Sequence, residues 1–68
     1  MSLNNYSRVK LLVERYSGAG VDAGALGYII EVYPDGKYEV EFSDGTGKSI
    51  AQLVLSESEI SLDEPANS

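Results

Sequence analysis

The most constraining feature of this chain is the stretch from Gly27 to Gly45, where two alternating segments flank a Pro-Asp-Gly turn. Apolar and polar residues alternate on both sides of Pro34–Gly36, and a period of two is the pattern of a strand with one buried face. Proline presets φ at the first central position of a turn, and glycine accepts the left-handed conformation that closes it. The stretch therefore predicts a β-hairpin with a type I turn and a glycine bulge.

Three further segments carry strand patterns, each bounded by turn residues. The fourth segment is followed by Ser56 and Glu59, whose spacing is that of a capping box and predicts one short helical turn. The five predicted strands are Arg8–Val13, Leu26–Tyr33, Lys37–Ser43, Lys48–Leu55 and a last one through Ile60 and Leu62.

This order of elements predicts an all-β fold: a small five-stranded antiparallel SH3-like barrel with one short helical turn before the last strand. Barrel closure would remove the unpaired strand edges that invite aggregation. The chain of 68 residues is predicted to be a single domain, 1–68, with an ordered core over about 7–63 and frayed termini.

Strand alternation also predicts which side chains form the core. Val21 is expected to fold back onto this core from the glycine-containing loop, and Gly27 to mark close backbone packing or a bulge. The side chains expected to face inward are Val9, Leu11, Val13, Tyr28, Ile30, Val32, Tyr38, Val40, Phe42, Ala51, Leu53 and Leu55.

The residue types in the chain leave little for catalysis. There is no cysteine and no histidine, which removes thiolate chemistry and the commonest general base and metal ligand. The loop glycines Gly18, Gly20 and Gly24 lack the following helix that a phosphate-binding loop needs, and single turn aspartates are too few for calcium. We expect no enzyme activity, no cofactor and no metal.

The net charge of −6 lies entirely in the second half, because residues 35–68 carry two lysines against eight acidic residues. An acidic surface repels phosphates and anionic membranes, so the expected partner is a basic protein, with no nucleic acid and no membrane. The alternative is that these acidic residues serve only to keep the chain soluble. Without an apolar span, or a signal peptide at Met1–Asn5, the expected location is cytoplasmic.

The predicted partner-binding residues are Glu31, Tyr33, Glu39 and Glu41, on the outward positions of the hairpin. Two readings stay open for them. They are an ordinary solvated sheet face, or a docking patch for a basic partner. An aromatic cage for a cation would need several converging rings, and Tyr33 with Glu31 or Glu39 is the one combination that the pattern offers.

Four runs of the sequence form a recognisable set: Gly24–Val32, Gly36–Phe42, Gly47–Lys48 and Leu53–Leu55 with Ile60. Together they resemble a family of small bacterial proteins known as domain-of-unknown-function family 4926. The resemblance extends from about Val9 to Leu62, and the Tyr-Glu-Val-Glu-Phe run beginning at Tyr38 is its most recognisable piece. The family usually has Thr where this chain has Tyr28.

The resemblance implies no catalytic residues, since the family has none established. It implies a free-standing accessory protein, and some members resemble small partners encoded beside toxin-like genes. By fold analogy the barrel is similar to KOW and Tudor modules, although fold alone does not give function. The sequence predicts a non-enzymatic protein-interaction module. The alternatives are an antitoxin or immunity protein that neutralises a toxin-like partner, and a structural subunit of a homo-oligomer, such as a homodimer, with an Ile50/Val54 face between chains.

Overall fold

The structure is a computed structural model that describes residues 6–63. Five antiparallel strands in these residues form one sheet, which confirms the predicted all-β class. Two single 3₁₀ turns lie in the connections between these strands. The elements in chain order are β1 Arg8–Leu11, η1 Ser17–Ala19, β2 Leu26–Val32, β3 Lys37–Ser43, β4 Ser49–Ser56, η2 Glu57–Glu59 and β5 Ile60–Leu62.

The strand order across the sheet is β4-β3-β2-β1-β5, so the last strand returns to lie beside the first. Val9 of β1 pairs with Leu62 of β5 on one side and with Gly27 of β2 on the other. The pairings of the described residues end at β4 and at β5, and closure of the barrel stays a prediction. The fraying predicted for residues 1–6 and 63–68 falls outside the described range except at its two inner ends, residues 6 and 63.

The first strand is shorter than the pattern indicated. It ends at Leu11, although the N–H of Leu12 still donates to the carbonyl of Glu59 over 2.8 Å. Val13 still packs half-buried against the core. In the loop that follows, Ser17–Ala19 forms one 3₁₀ turn that ends at Gly20, whose φ of +86° is left-handed.

The core lies on one face of the sheet and confirms most of the predicted inward positions. Val21 is folded back onto it with 1% exposure, as expected. Ala51 and Leu53 pack against the core while remaining partly exposed. The buried hydrophobic residues are Val9, Leu11, Val21, Ile29, Tyr38, Val40, Phe42, Leu55 and Ile60.

The predicted inward face of β2 is wrong in the first half of the strand. Tyr28 is 48% exposed and Ile30 is only partly buried, whereas Gly27 and Ile29 face the core. Val32 stands opposite the buried Tyr38 and so lies on the predicted side, although it is 41% exposed. A Cβ on Gly27 would lie 2.7 Å from the carbonyl oxygen of Glu41 and 2.8 Å from Phe42 Cδ1. Glycine therefore allows β2 to approach β3 closely with this face inward, and Tyr28 is left outside.

A β-bulge then reverses the alternation within β2. The register with β3 shifts between Ile29 and Glu31, so Ile30 is an additional residue in the ladder. Ile29 is fully buried opposite Val40, yet Glu31, two residues later, lies exposed. A strict period of two would place these two side chains on one face, and the bulge places them on opposite faces.

The helical turn predicted from Ser56 and Glu59 is present as η2 with its capping box. The N–H of Ser56 donates to Glu59 Oε1 over 2.9 Å. This contact redirects the chain from β4 into β5 in three residues. None of the helical segments in residues 6–63 has the length and apolar character needed to cross a membrane.

Candidate functional site

The hairpin that carries the predicted site closes as its sequence indicated. The N–H of Tyr33 donates to the carbonyl of Lys37 over 2.9 Å, and the N–H of Gly36 donates back to Tyr33 over 3.2 Å. Gly36 has a φ of +85°, and Asp35 Oδ1 accepts from the N–H of Lys37 over 3.2 Å. The turn fixes how β2 and β3 face each other and therefore where their outward side chains meet.

The four predicted site residues lie on the outer face of this hairpin, which we call the acidic face. Glu31 of β2 stands directly opposite Glu39 of β3. Glu41 is two residues along β3 from Glu39 and thus on the same side of the sheet. Glu31 is exposed and the other three, including Tyr33, are half-buried.

Tyr33 and Glu39 are joined by a hydrogen bond, in which the phenol donates to Glu39 Oε1 over 2.6 Å. This bond, followed by desolvation and by the charges of Glu39, Glu31 and Asp35, raises the pKa of Tyr33 above its ordinary value of 10.0. The phenol is therefore neutral at physiological pH and acts as a donor. It fixes one carboxylate oxygen of Glu39 and leaves the other free for a partner.

Apolar and uncharged side chains border the acidic face on both sides. Tyr28 of β2 stands opposite Glu41, and Val54 of β4 stands opposite Glu39. Val54 is 55% exposed. The alternation pattern placed Tyr28 in the core, because it assigned the wrong face to the first half of β2. The signal for this in the sequence was Gly27. A glycine that close strand packing requires faces the core, so its neighbour Tyr28 must face outward.

A shallow depression of about 490 Å³ adjoins the acidic face at its turn end. Tyr33, Pro34 and Val54 supply its apolar wall, and Asp35 and Lys37 supply opposite charges at its rim. Its walls come from the β2–β3 turn and from β4, so its shape depends on the pairing of β3 with β4.

The ion pairs in residues 6–63 lie elsewhere on the molecule. Arg8 and Lys10 approach Asp63 at 3.5 and 3.9 Å, and Arg15 Nη1 lies 3.1 Å from Glu59 Oε2. Within the same residues none of these pairs includes a carboxylate of the acidic face. The opposed carboxylates of Glu31 and Glu39 therefore have no basic side chain of the described chain at ion-pair distance.

The arrangement is suited to binding positive charge. In the described part of the chain, no three or more acidic side chains are grouped closely enough to hold a metal ion. Among the described residues that line the depression, Tyr33 has the one aromatic ring, whereas an aromatic cage requires several converging rings. What the face offers is carboxylate acceptors beside an aromatic ring and an exposed aliphatic side chain, a combination found where proteins contact cationic side chains.

Comparison with known proteins gives one match. The model of the family described as a domain of unknown function (DUF4926) matches residues 6–62 of the chain. No curated protein matches, and no solved structure matches.

Proposed function

Because the chain belongs to the DUF4926 family, whose function is unknown, we propose a role from its own geometry. The chain acts as a non-enzymatic protein-interaction module that docks a basic surface of a partner protein on the acidic face. Glu31, Tyr33, Glu39 and Glu41 are its contact residues.

The observation that carries the proposal is the direct opposition of Glu31 and Glu39 across two paired strands. Like charges at opposed positions of a sheet are destabilising. Between residues 6 and 63 no ion pair offsets this repulsion. A lysine or arginine from a partner would offset it, so the arrangement favours a cationic occupant over an empty face.

The surroundings of the two carboxylates fit the rest of such a side chain. Lysine and arginine carry their charge on an apolar stem, which is stabilised by packing on apolar surface. Val54 provides this surface opposite Glu39, and the ring of Tyr33 with Pro34 continues it into the depression. A bound cationic side chain would bury its stem and place its charge between carboxylates.

The charge of the whole chain supports the same choice of partner. The net charge of −6 attracts basic proteins over distance and repels phosphates, which makes nucleic acids and anionic membranes unfavourable partners. A catalytic role is not part of the proposal. The chain has no histidine or cysteine to serve as a general base or a nucleophile.

The experiment begins with capture of partners from host lysate at low and at near-physiological salt, read by mass spectrometry. The captured basic protein is then titrated against the native chain and against a Glu39→Lys, Glu41→Lys double variant. We expect affinity to fall by roughly tenfold or more and its salt dependence to flatten. The matched control carries Asp22→Lys and Glu57→Lys, with the same change in net charge on exposed positions elsewhere. Equal losses in both variants would remove the acidic face from the proposal.

The exposure of Ile50 and Val54, at 45% and 55%, favours a homo-oligomer as the second candidate. The two side chains do not share one surface, however. Ile50 lies where the register of β4 shifts, and its Cγ2 is 3.3 Å from the position that a Cβ on Gly20 would take. Val54 lies beside the acidic face. Light scattering distinguishes the candidates, because a dimeric mass that Val54→Lys dissociates would favour self-association.

A further inference from the structure

Within residues 6–63, the outer edge of β4 has no partner strand. β4 is the terminal strand of the sheet, and the backbone hydrogen bonds that lie outside the strand ladders of residues 6–63 do not involve Ser49–Leu55. An edge strand presents a row of N–H and C=O groups that can pair with another extended chain. The backbone of β4 is therefore available on the side away from β3.

The orientation of this backbone identifies the free groups. The carbonyl of Lys37 accepts from Tyr33 and thus points toward β2, so the backbone groups of Glu39 and Glu41 also point toward β2. Their partners in β4 are Val54 and Gln52, which must then direct their N–H and C=O groups away from β3. Ser56 follows the same alternation, because its N–H also points away from β3 and donates to Glu59.

The edge also lacks the usual protection against strand pairing. The sequence of Ser49–Ser56 contains no charged residue and no proline. The opposite edge of the sheet is protected because its strand, β5, is short, with three residues. On β4 the protection is a single register shift near Ile50, which leaves the regular ladder from Ala51 to Ser56 exposed to a partner strand.

The residues with free backbone groups are the neighbours of the acidic face. The side chains of Gln52 and Val54 are outward and stand opposite Glu41 and Glu39. A strand added to β4 would lie two strand spacings, about 10 Å, from β3. An arginine opposite Val54 could lay its stem across Val54, and together with the length of the Glu39 side chain it would span this separation.

We propose that the partner docks as an extended basic segment that adds to β4 as an antiparallel sixth strand, with arginine or lysine at alternate positions. The identity of the partner rests on the proposed function, and the mode of binding rests on the open edge. Alternation follows from the pleat, because every second side chain points to the outer side where the carboxylates lie. A second copy of the chain is a poorer occupant, since it adds another net charge of −6.

The test uses a capped synthetic peptide in which arginine alternates with threonine over the length of β4. In an antiparallel addition, each arginine opposite Gln52 or Val54 directs its own N–H toward β4, whereas each threonine N–H points away. N-methylation of the arginines should weaken binding roughly tenfold or more, and N-methylation of the threonines should leave it nearly unchanged. The two peptides have the same charge and composition, so each is the control for the other.

Hydrogen exchange gives an independent readout on the protein itself. In the free chain the amides of Gln52 and Val54 should exchange quickly, and those of Ala51, Leu53 and Leu55 slowly. Saturation with the parent peptide should protect Gln52 and Val54 without changing the other three. The same measurement on the N-methylarginine peptide should show no such protection.

The outcomes separate this inference from the proposed function. Equal binding of the parent and both methylated peptides, still abolished by Glu39→Lys with Glu41→Lys, would overturn strand addition and leave acidic-face docking in place. Failure of every peptide to bind at low ionic strength would overturn both. If the amides of Gln52 and Val54 are protected in the free protein and its mass is that of a dimer, the edge of β4 pairs with a second copy of the chain. That result would overturn the inference.

Discussion

The hydroxyl of Tyr16 donates a hydrogen bond to Glu59 Oε2 over 2.9 Å, across a sequence separation of 43 residues. Arg15 Nη1 lies 3.1 Å from the same oxygen, and the other carboxylate oxygen caps η2 at Ser56. One carboxylate thus joins the segment after β1 to the turn before β5. The Ser56 N–H, helped by the Tyr16 and Ser56 hydroxyls and the Arg15 charge, lowers the pKa of Glu59 against the effect of burial.

Replacing Glu59 by glutamine should lower the free energy of unfolding by about 1–2 kcal/mol at neutral pH, because the charged cap and its bonds to Tyr16 and Arg15 are weakened together. Chemical denaturation of the native chain and the variant measures the difference. Glu57→Gln is the matched control, since Glu57 lies in the same 3₁₀ turn but is exposed. A control variant as unstable as Glu59→Gln would contradict the role of this carboxylate.

The stabilisation by Glu59 should depend on pH in a defined direction. Its pKa in the folded chain is below the ordinary value of 4.5, so its contribution is complete above about pH 4.5 and is lost as pH falls through the lowered value. The difference in stability between the native chain and Glu59→Gln should therefore shrink on acidification below that point. Denaturation at a series of pH values checks this, and a difference that stays constant into the acid range would be inconsistent with it.

Gly27→Ala should destabilise the fold by about 1–3 kcal/mol or more, since the added Cβ meets a backbone oxygen at 2.7 Å and two core side chains at 2.8 Å. The carbonyl of Glu41 cannot move without disturbing the β2–β3 ladder. Thermal unfolding measures the effect. Gly45→Ala is the control, because a Cβ there has no neighbouring atom within 4 Å. Similar melting temperatures for the two variants would show that β2 does not require the close approach.

Glu31→Gln should change stability and binding in opposite directions. Removing one of two opposed carboxylates relieves repulsion with Glu39, so the free energy of unfolding should rise by a few tenths of a kcal/mol after solvent screening. Affinity for a basic partner should fall and its salt dependence should weaken. Glu41→Gln should weaken binding without the gain in stability, because Glu41 faces Tyr28 and Gln52 and no acid. Stability and affinity that rise together in Glu31→Gln would contradict the proposal.

The Tyr33–Glu39 hydrogen bond should be visible in an ultraviolet titration of the tyrosines. With its pKa raised above 10.0, Tyr33 keeps its stabilising bond below about pH 10 and loses it as pH rises through the raised value. Glu39→Gln should return this titration toward 10.0, and Tyr33→Phe assigns the signal. Tyr16, whose pKa is raised first by burial and then by Glu59, should titrate as before in Glu39→Gln. An unchanged Tyr33 titration in that variant would rule out the carboxylate as the cause.

The candidate site was predicted from outward positions on one hairpin, and each of its four residues lies on the outer face. This agreement depended on two features of β2 that compensate each other. The first half of the strand faces the opposite way from the prediction, and the bulge then reverses the alternation. Simple alternation grouped Glu31 and Tyr33 with Ile29, which is buried. The bulge at Ile30 separates them, and no local pattern in the sequence marks it. The exposed neighbours Tyr28 and Val54 became part of the site only through their positions opposite Glu41 and Glu39.

The sequence by itself determined the elements that local chemistry controls. Pro34 and Gly36 define the hairpin turn, alternation defines β3 from Lys37 to Ser43, and Ser56 with Glu59 defines the capped turn before β5. These depend on φ preferences and on contacts within a few residues, which the chain order encodes directly. Only the tertiary structure decided which face of β2 is buried, where the register shifts and that Tyr16 reaches Glu59. Those outcomes depend on packing between strands distant in sequence. At Gly27 there is no room for a Cβ against β3, so glycine occupies the inward position of β2.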